Sequence, residues 1–171
     1  MAAFYIVLFL FSVVYACDED SHTGYGRSAS VQATVYCPTG FVAVDRYCYS
    51  INLAKGDVRQ HQDACFNKGG YLAAIETCSE SEVFTSYLSS LQLSGRTRGL
   101  WIGYFDFHGD MSYFSWFNIH NPYFNNFIEG KPENPRQSCV YAFASGVNIG
   151  KWDTSFCRRL YGAICEADPL P

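Results

Sequence analysis

Charge is scarce in this chain: only 16% of its 171 residues are Asp, Glu, Lys or Arg. Twelve basic side chains against sixteen acidic ones leave a net charge of −4. A chain without excess cation lacks the electrostatic footprint of a nucleic-acid binder. Long hydrophobic runs are missing too. The longest, FYIVLFLFSVVY at residues 4–15, falls well short of the roughly 20 residues a membrane-spanning helix needs. No G-x-S-x-G, H-E-x-x-H, P-loop or G-x-G-x-x-G occurs, which removes the common signatures of hydrolases, metalloproteases and nucleotide enzymes. His108 and His120 have no third ligand at zinc spacing, and His61 falls on an apolar helical face. Cys78 has no base to activate it as a nucleophile. No N-x-S/T sequon is present, so no N-glycan is expected. A catalytic role is not expected.

Aromatic residues and cysteine are what the chain has in quantity, at 18% Phe, Trp and Tyr and eight cysteines. With 49% hydrophobic residues, the composition excludes a disordered chain. Eight cysteines in so short a chain suit a secreted, disulfide-stapled domain rather than a reducing cytosol. In that light the apolar run reads as the core of a signal peptide spanning residues 1–16. Val14 and Ala16 are the small residues wanted before a cleavage point at Cys17. The expected product is secreted and extracellular, with no stable membrane insertion.

Residues 17–36 are polar and Ser/Gly-rich without helical or strand period, and read as a flexible N-terminal segment. Residues 37–166 are continuously globular, and 167–171 form a short tail. Residues 41–51 read as two short strands about a turn at Asp45 and Arg46. A helix is expected over 57–67, with Asp57 as N-cap, Val58, His61 and Cys65 on one face, and Gly69 and Gly70 ending it. A second is expected over 79–91, opened by a Ser79…Glu82 capping box and striped by Val83, Phe84, Tyr87, Leu88 and Leu91. Beyond Gly99, strand-like runs occupy 100–105, 114–117, 138–144 and 160–165. Two helices followed by strands predict an α+β fold with an antiparallel sheet. The stretch 106–137 is long, irregular and aromatic, as expected of a packed loop that presents something.

Taken in order, several segments resemble a C-type lectin-like domain in its long form. They are Cys37-Pro-x-Gly-Phe, Arg46-Tyr-Cys48-Tyr, the helix ending in Cys65 with Gly69-Gly70-Tyr-Leu72, and Trp101-Ile-Gly103-Tyr. Tyr123 to Gly130, Cys139-Val, Lys151-Trp152-Asp153, Cys157 and Ala163-Ile-Cys165-Glu166 follow. The resemblance implies a disulfide-stapled fold of two helices and antiparallel sheets with a long ligand loop. It implies the pairs Cys37–Cys48, Cys65–Cys165 and Cys139–Cys157. Cys17 and Cys78 are left over: they pair with each other, link chains into an oligomer, or leave a free thiol at Cys78.

The resemblance also implies a calcium-assisted sugar site built from an E-P-N or Q-P-D tripeptide, a Glu before the next cysteine and a W-N-D strand. Calcium wants six to eight oxygen ligands. Here the tripeptide is Lys131-Pro132-Glu133, Gln137 takes the downstream acidic place, and the strand reads Trp152-Asp153-Thr154. Glu133 and Asp153 remain as residual metal candidates, whereas an ammonium at 131 has no lone pair and repels a dication. No high-affinity calcium site is expected, and Lys131 between Glu133 and Asp153 would stand in for the metal's charge. Pro132 is expected to keep the cis bond of the family. Lys131, Glu133, Asn134, Gln137, Asp153 and Thr154 are the candidate ligand-binding residues, with Arg136 nearby. Tyr123, Phe124 and Phe127 flank them, either to stack on a ligand or to pack as loop core. The function implied is non-catalytic recognition of a carbohydrate or glycoprotein, as in innate defence. The alternative is an extracellular matrix or interaction protein that binds a protein or mineral surface through the same fold.

Overall fold

The computed structural model describes residues 34–117 and 124–171. The signal-peptide assignment, Cys17, most of the segment 17–36, His120 and Tyr123 lie outside the described residues. In chain order the elements are β1 (Val42–Val44), β2 (Tyr47–Gly56), α1 (Val58–Asn67), β3 (Tyr71–Leu72) and α2 (Cys78–Ser90). Then come β4 (Gly99–Asp106), β5 (Phe114–Trp116), β6 (Cys139–Phe143), β7 (Trp152–Ser155) and β8 (Tyr161–Ala167).

Local chemistry explains where these elements start. Asp57 caps α1 by accepting from the Gln60 amide at 2.8 Å, while Gln60 Oε1 accepts from the Asp57 amide at 3.0 Å. Each exchange satisfies a backbone donor that the first helical turn leaves unpaired. Val58, His61 and Cys65 are its buried face. The second helix starts one residue earlier than the sequence predicts. Its cap is Thr77, whose hydroxyl accepts from the Glu80 amide at 3.1 Å; Ser79 lies inside the helix. Ser79…Glu82 and Thr77…Glu80 offer the same capping pattern, and burial decides between them. Glu80 is 4% exposed and accepts from the Tyr49 hydroxyl at 3.0 Å, so helix and core agree only in that register. The buried stripe is Glu80, Ser81, Phe84 and Leu88. Val83, Tyr87 and Leu91 are partly exposed.

The strands form a sheet ordered β1-β2-β8-β4-β6-β7, with β3 attached to β8 and β5 to β4. It is not wholly antiparallel as expected. The β4–β8 pair is parallel, matching Leu100 with Gly162 and Trp101 with Ala163. About 60 residues separate those partners in sequence, room for the crossover a parallel pair needs. Strand β4, which begins at Gly99, is buried along its whole length, as a central strand covered on both faces must be.

Two apolar clusters flank this sheet. One packs Phe84 and Leu88 of α2 against Tyr49, Leu100, Ile102, Trp116 and Trp152. The other gathers Val58 and Cys65 of α1 with Trp101, Tyr141 and Cys165. Disulfides Cys37–Cys48, Cys65–Cys165 and Cys139–Cys157 are all formed. Cys78 is disulfide-bonded as well, which removes the free-thiol alternative. The Leu170 amide donates to the Tyr36 carbonyl at 2.7 Å, tying the segment before Cys37 to the C-terminal tail.

Candidate functional site

Asp153 and Thr154 are set by the pairing of β7 with β6, where Tyr141 faces Asp153 and Val140 faces Thr154. Asp153 folds back on its own strand, and its Oδ1 accepts from the Thr154 amide at 2.7 Å. Its Oδ2 lies 3.5 Å from the Tyr141 hydroxyl. The Thr154 hydroxyl donates to Gln137 Oε1 at 3.3 Å, joining the strand to the end of the long loop. Thr154 is only 4% exposed, so its hydroxyl serves to hold Gln137 in place.

Lys131 approaches from the other side of the loop, just before a cis Lys131–Pro132 bond. Its Nζ donates to Glu133 Oε1 in an ion pair. That bond, reinforced by the Asp153 charge against partial desolvation, holds the ammonium's pKa above the ordinary lysine value. Burial first, and Asp153 second, push the Tyr141 phenol up to about 12. The ammonium is thus paired with Glu133 and lies within electrostatic reach of Asp153. Among the described residues no group of three or more His, Cys, Asp or Glu is arranged to hold a metal ion.

Five of the six candidate residues, Lys131, Glu133, Gln137, Asp153 and Thr154, line one open groove of about 670 Å³. Asn134 does not line it. Its Oδ1 accepts from the Arg136 amide at 3.0 Å and its carbonyl accepts from Gln137 at 2.9 Å, so it shapes the turn that delivers Gln137. Phe124 and Phe127 are loop core. Their rings pack edge-on against Trp152 at 5.7 and 5.9 Å.

The rest of the groove went unread in the sequence. Ser155 of β7, with Arg98, Tyr141, Arg158, Arg159, Leu160 and Tyr161, completes its walls. The Arg158-Arg159 pair just after Cys157 was a visible signal; nothing local marks Arg98, which only the sheet brings alongside. Tyr161 lies between Trp101 and Tyr141, with ring centroids 4.9 and 5.0 Å away. The groove thus combines cations, two carboxylates, an amide and an aromatic side.

The comparisons agree with this architecture. The family model for the lectin C-type domain matches residues 55–167. The chain belongs to the C-type lectin domain family, whose fold is a non-catalytic lectin fold. Among curated relatives it is 26% identical to the galactose-specific lectin nattectin of Thalassophryne nattereri, over 83% of this chain and 87% of that one. The carbohydrate-recognition domain of cow CD23, solved in the presence of a GlcNAc2Man3 oligosaccharide, superposes with a TM-score of 0.66 at 25% identity. That match covers 81% of this chain and all of the other. A calcium-independent type II antifreeze protein shares the fold at a TM-score of 0.66 and 20% identity, over 81% of this chain and 98% of that one.

Proposed function

We propose that this is a secreted recognition protein that binds a carbohydrate or glycoconjugate, without catalysis, in the groove between the long loop and the β6–β7 edge. The observation that carries the reading is the convergence of Lys131, Glu133, Gln137 and Asp153 on one solvent-open groove beside Tyr161. Fixed carboxylate and amide oxygens accept hydrogen bonds from sugar hydroxyls, while an aromatic ring offers a face to the apolar side of a sugar. Nattectin, described as galactose-specific, supports the substrate class. Extracellular placement is supported by the disulfides. Among the described residues no helix is long and apolar enough to cross a membrane.

Binding at this groove proceeds without calcium in our reading. Lys131 already supplies positive charge to Glu133 and Asp153, and a dication entering there would meet an ammonium at contact distance. A glycan array run in calcium and again in chelator tests both parts. Binding that is equal in the two conditions is expected; binding seen only with calcium would overturn the metal-free reading. The second reading is recognition of a protein or mineral surface as a matrix or interaction protein. It is favoured by the fold shared with an antifreeze protein described as calcium-independent. Silence of the array in both conditions, with retention on a protein or mineral matrix, selects it.

A further inference from the structure

We infer that the groove beside Lys131 is one half of a longer cationic trough that binds a linear polysaccharide bearing sulfate or carboxylate groups. This rests on the glycan reading above and names its ligand class.

The groove adjoins a second of about 440 Å³, and the two share Arg98, Leu160 and Tyr161. The second adds Lys55 and Arg96 and has no Asp or Glu in its walls. Together they gather Lys55, Arg96, Arg98, Lys131, Arg158 and Arg159, half of the chain's twelve cations, against Glu133 and Asp153 alone. The rest of the sequence holds the other six cations and fourteen carboxylates. The ion pairs among the described residues are Arg46–Asp45 and Lys131–Glu133, so five of the six trough cations make none. Clustered like charges repel one another, and a bound polyanion removes that penalty.

Three further features select the class of polyanion. Guanidinium groups match sulfate and carboxylate in paired, planar hydrogen bonds. Leu160, 57% exposed, and Tyr161 lie where the two grooves meet, and give apolar surface to sugar rings that a bare inorganic anion would not use. Glu133 and Asp153 accept hydrogen bonds from the hydroxyls that a polysaccharide carries on each ring and that single-stranded DNA lacks. The arginines stand on fixed supports. Cys157, just before Arg158, is bonded to Cys139, and its carbonyl accepts from the Val58 amide at 3.1 Å. The Arg98 carbonyl accepts from the Ala144 amide at 3.3 Å.

The test is binding of the intact protein to immobilised heparin, chemically desulfated heparin, a polyuronate, a neutral polysaccharide and single-stranded DNA. Arg98→Gln/Arg158→Gln/Arg159→Gln is compared with Arg46→Gln/Arg59→Gln, which removes exposed charge outside the trough. The wild type is expected to bind the anionic glycans and to lose affinity as salt rises from about 0.15 M towards 1 M. The triple variant should lose at least about tenfold and the control variant little. If the triple variant fails to fold by circular dichroism, Arg98→Gln alone must still weaken binding several-fold. Heparin retention lost on desulfation assigns sulfate; equal retention of the polyuronate assigns carboxylate. Equal binding to neutral polysaccharide with no effect of the arginines overturns this inference and leaves the glycan reading standing. No binding to any of these polysaccharides overturns this inference, and only silence of the glycan array as well overturns the reading it rests on. DNA bound as tightly as heparin, or an equal loss in both variants, shows general charge attraction and overturns the inference.

Discussion

The Tyr49 hydroxyl donates a 3.0 Å hydrogen bond to Glu80 Oε1 inside the core, joining β2 to α2. The carboxylate's other oxygen accepts from the Glu76 amide at 3.0 Å. Nearby, Glu166 Oε2 accepts from the Ala74 amide at 2.9 Å. Three glutamates therefore meet in a region with little water, and burial raises the pKa of each.

This buried group makes stability depend on pH. Burial, then the Glu80 charge, raises the Glu166 carboxyl from 4.5 to about 8. The folded state holds this proton more tightly than the unfolded chain, so the contribution is fully present below pH 4.5 and is lost as pH rises to about 8. At about 1.4 kcal/mol per tenfold change in proton affinity, the upper bound is about 5 kcal/mol. Guanidinium unfolding midpoints across that range should fall for the wild type. They should be flatter for Glu166→Gln, which keeps an oxygen for the Ala74 amide. A wild-type midpoint that rises over the same window would show that the carboxyl is ionised in the fold.

Lys131 makes the second prediction. Chelator should move the thermal midpoint of the wild type by less than about 1 °C, since no ligand is removed. Lys131→Glu places a third carboxylate beside Glu133 and Asp153, and its midpoint should rise with added calcium. Differential scanning calorimetry with and without calcium reads both. A large chelator effect on the wild type would show that a metal supports the loop after all.

The two long-range disulfides should differ in a fixed order. Cys65–Cys165 closes a separation of 100 residues and Cys139–Cys157 one of 18. In the chain-entropy account, loss of the first costs about 4–5 kcal/mol and loss of the second about 3 kcal/mol. Paired Cys→Ala variants in urea titrations check the order. Only loss of the Cys139–Cys157 bond should also weaken ligand binding, because it joins β6 to the turn bearing Arg158.

Two glycines of β4 provide a contrast in packing. A Cβ at Gly103 would sit 2.6 Å from the Leu72 carbonyl oxygen, which is backbone; one at Gly99 would sit 2.2 Å from the Tyr141 ring. Gly103→Ala is expected to cost about 2–3 kcal/mol, as overpacking against an unyielding neighbour does. Gly99→Ala is expected to cost less if the ring turns, yet to reduce ligand binding because Tyr141 lines the groove. Chemical denaturation and a binding assay on both variants separate the two effects.

Much of the fold was legible because its signals are local. Asp57, the Val58–His61–Cys65 face and the turn at Asp45 each depend on a few adjacent residues. The start of α2 was misread because two overlapping capping patterns compete, and only the buried Tyr49–Glu80 contact chooses between them. The parallel β4–β8 pair left no local trace, since its partners lie far apart and strand direction is set by the crossover. At the site, the loop and strand residues follow a family pattern, and the fold brings them to one groove, apart from Asn134, which turns away to hold its own backbone. Arg158 and Arg159 show in the sequence only as an adjacent pair outside the family motifs, and nothing local marks Arg98. A net charge of −4 concealed them, because it averages a basic trough with an acidic remainder.

The Cys139–Cys157 bond sets what this groove would respond to. It joins the strand carrying Tyr141 to the turn carrying two arginines, and the cation at the loop is a lysine fixed in the chain. On our proposed reading, a binding site assembled in this way would be indifferent to the divalent ions of its surroundings and vulnerable to their thiols.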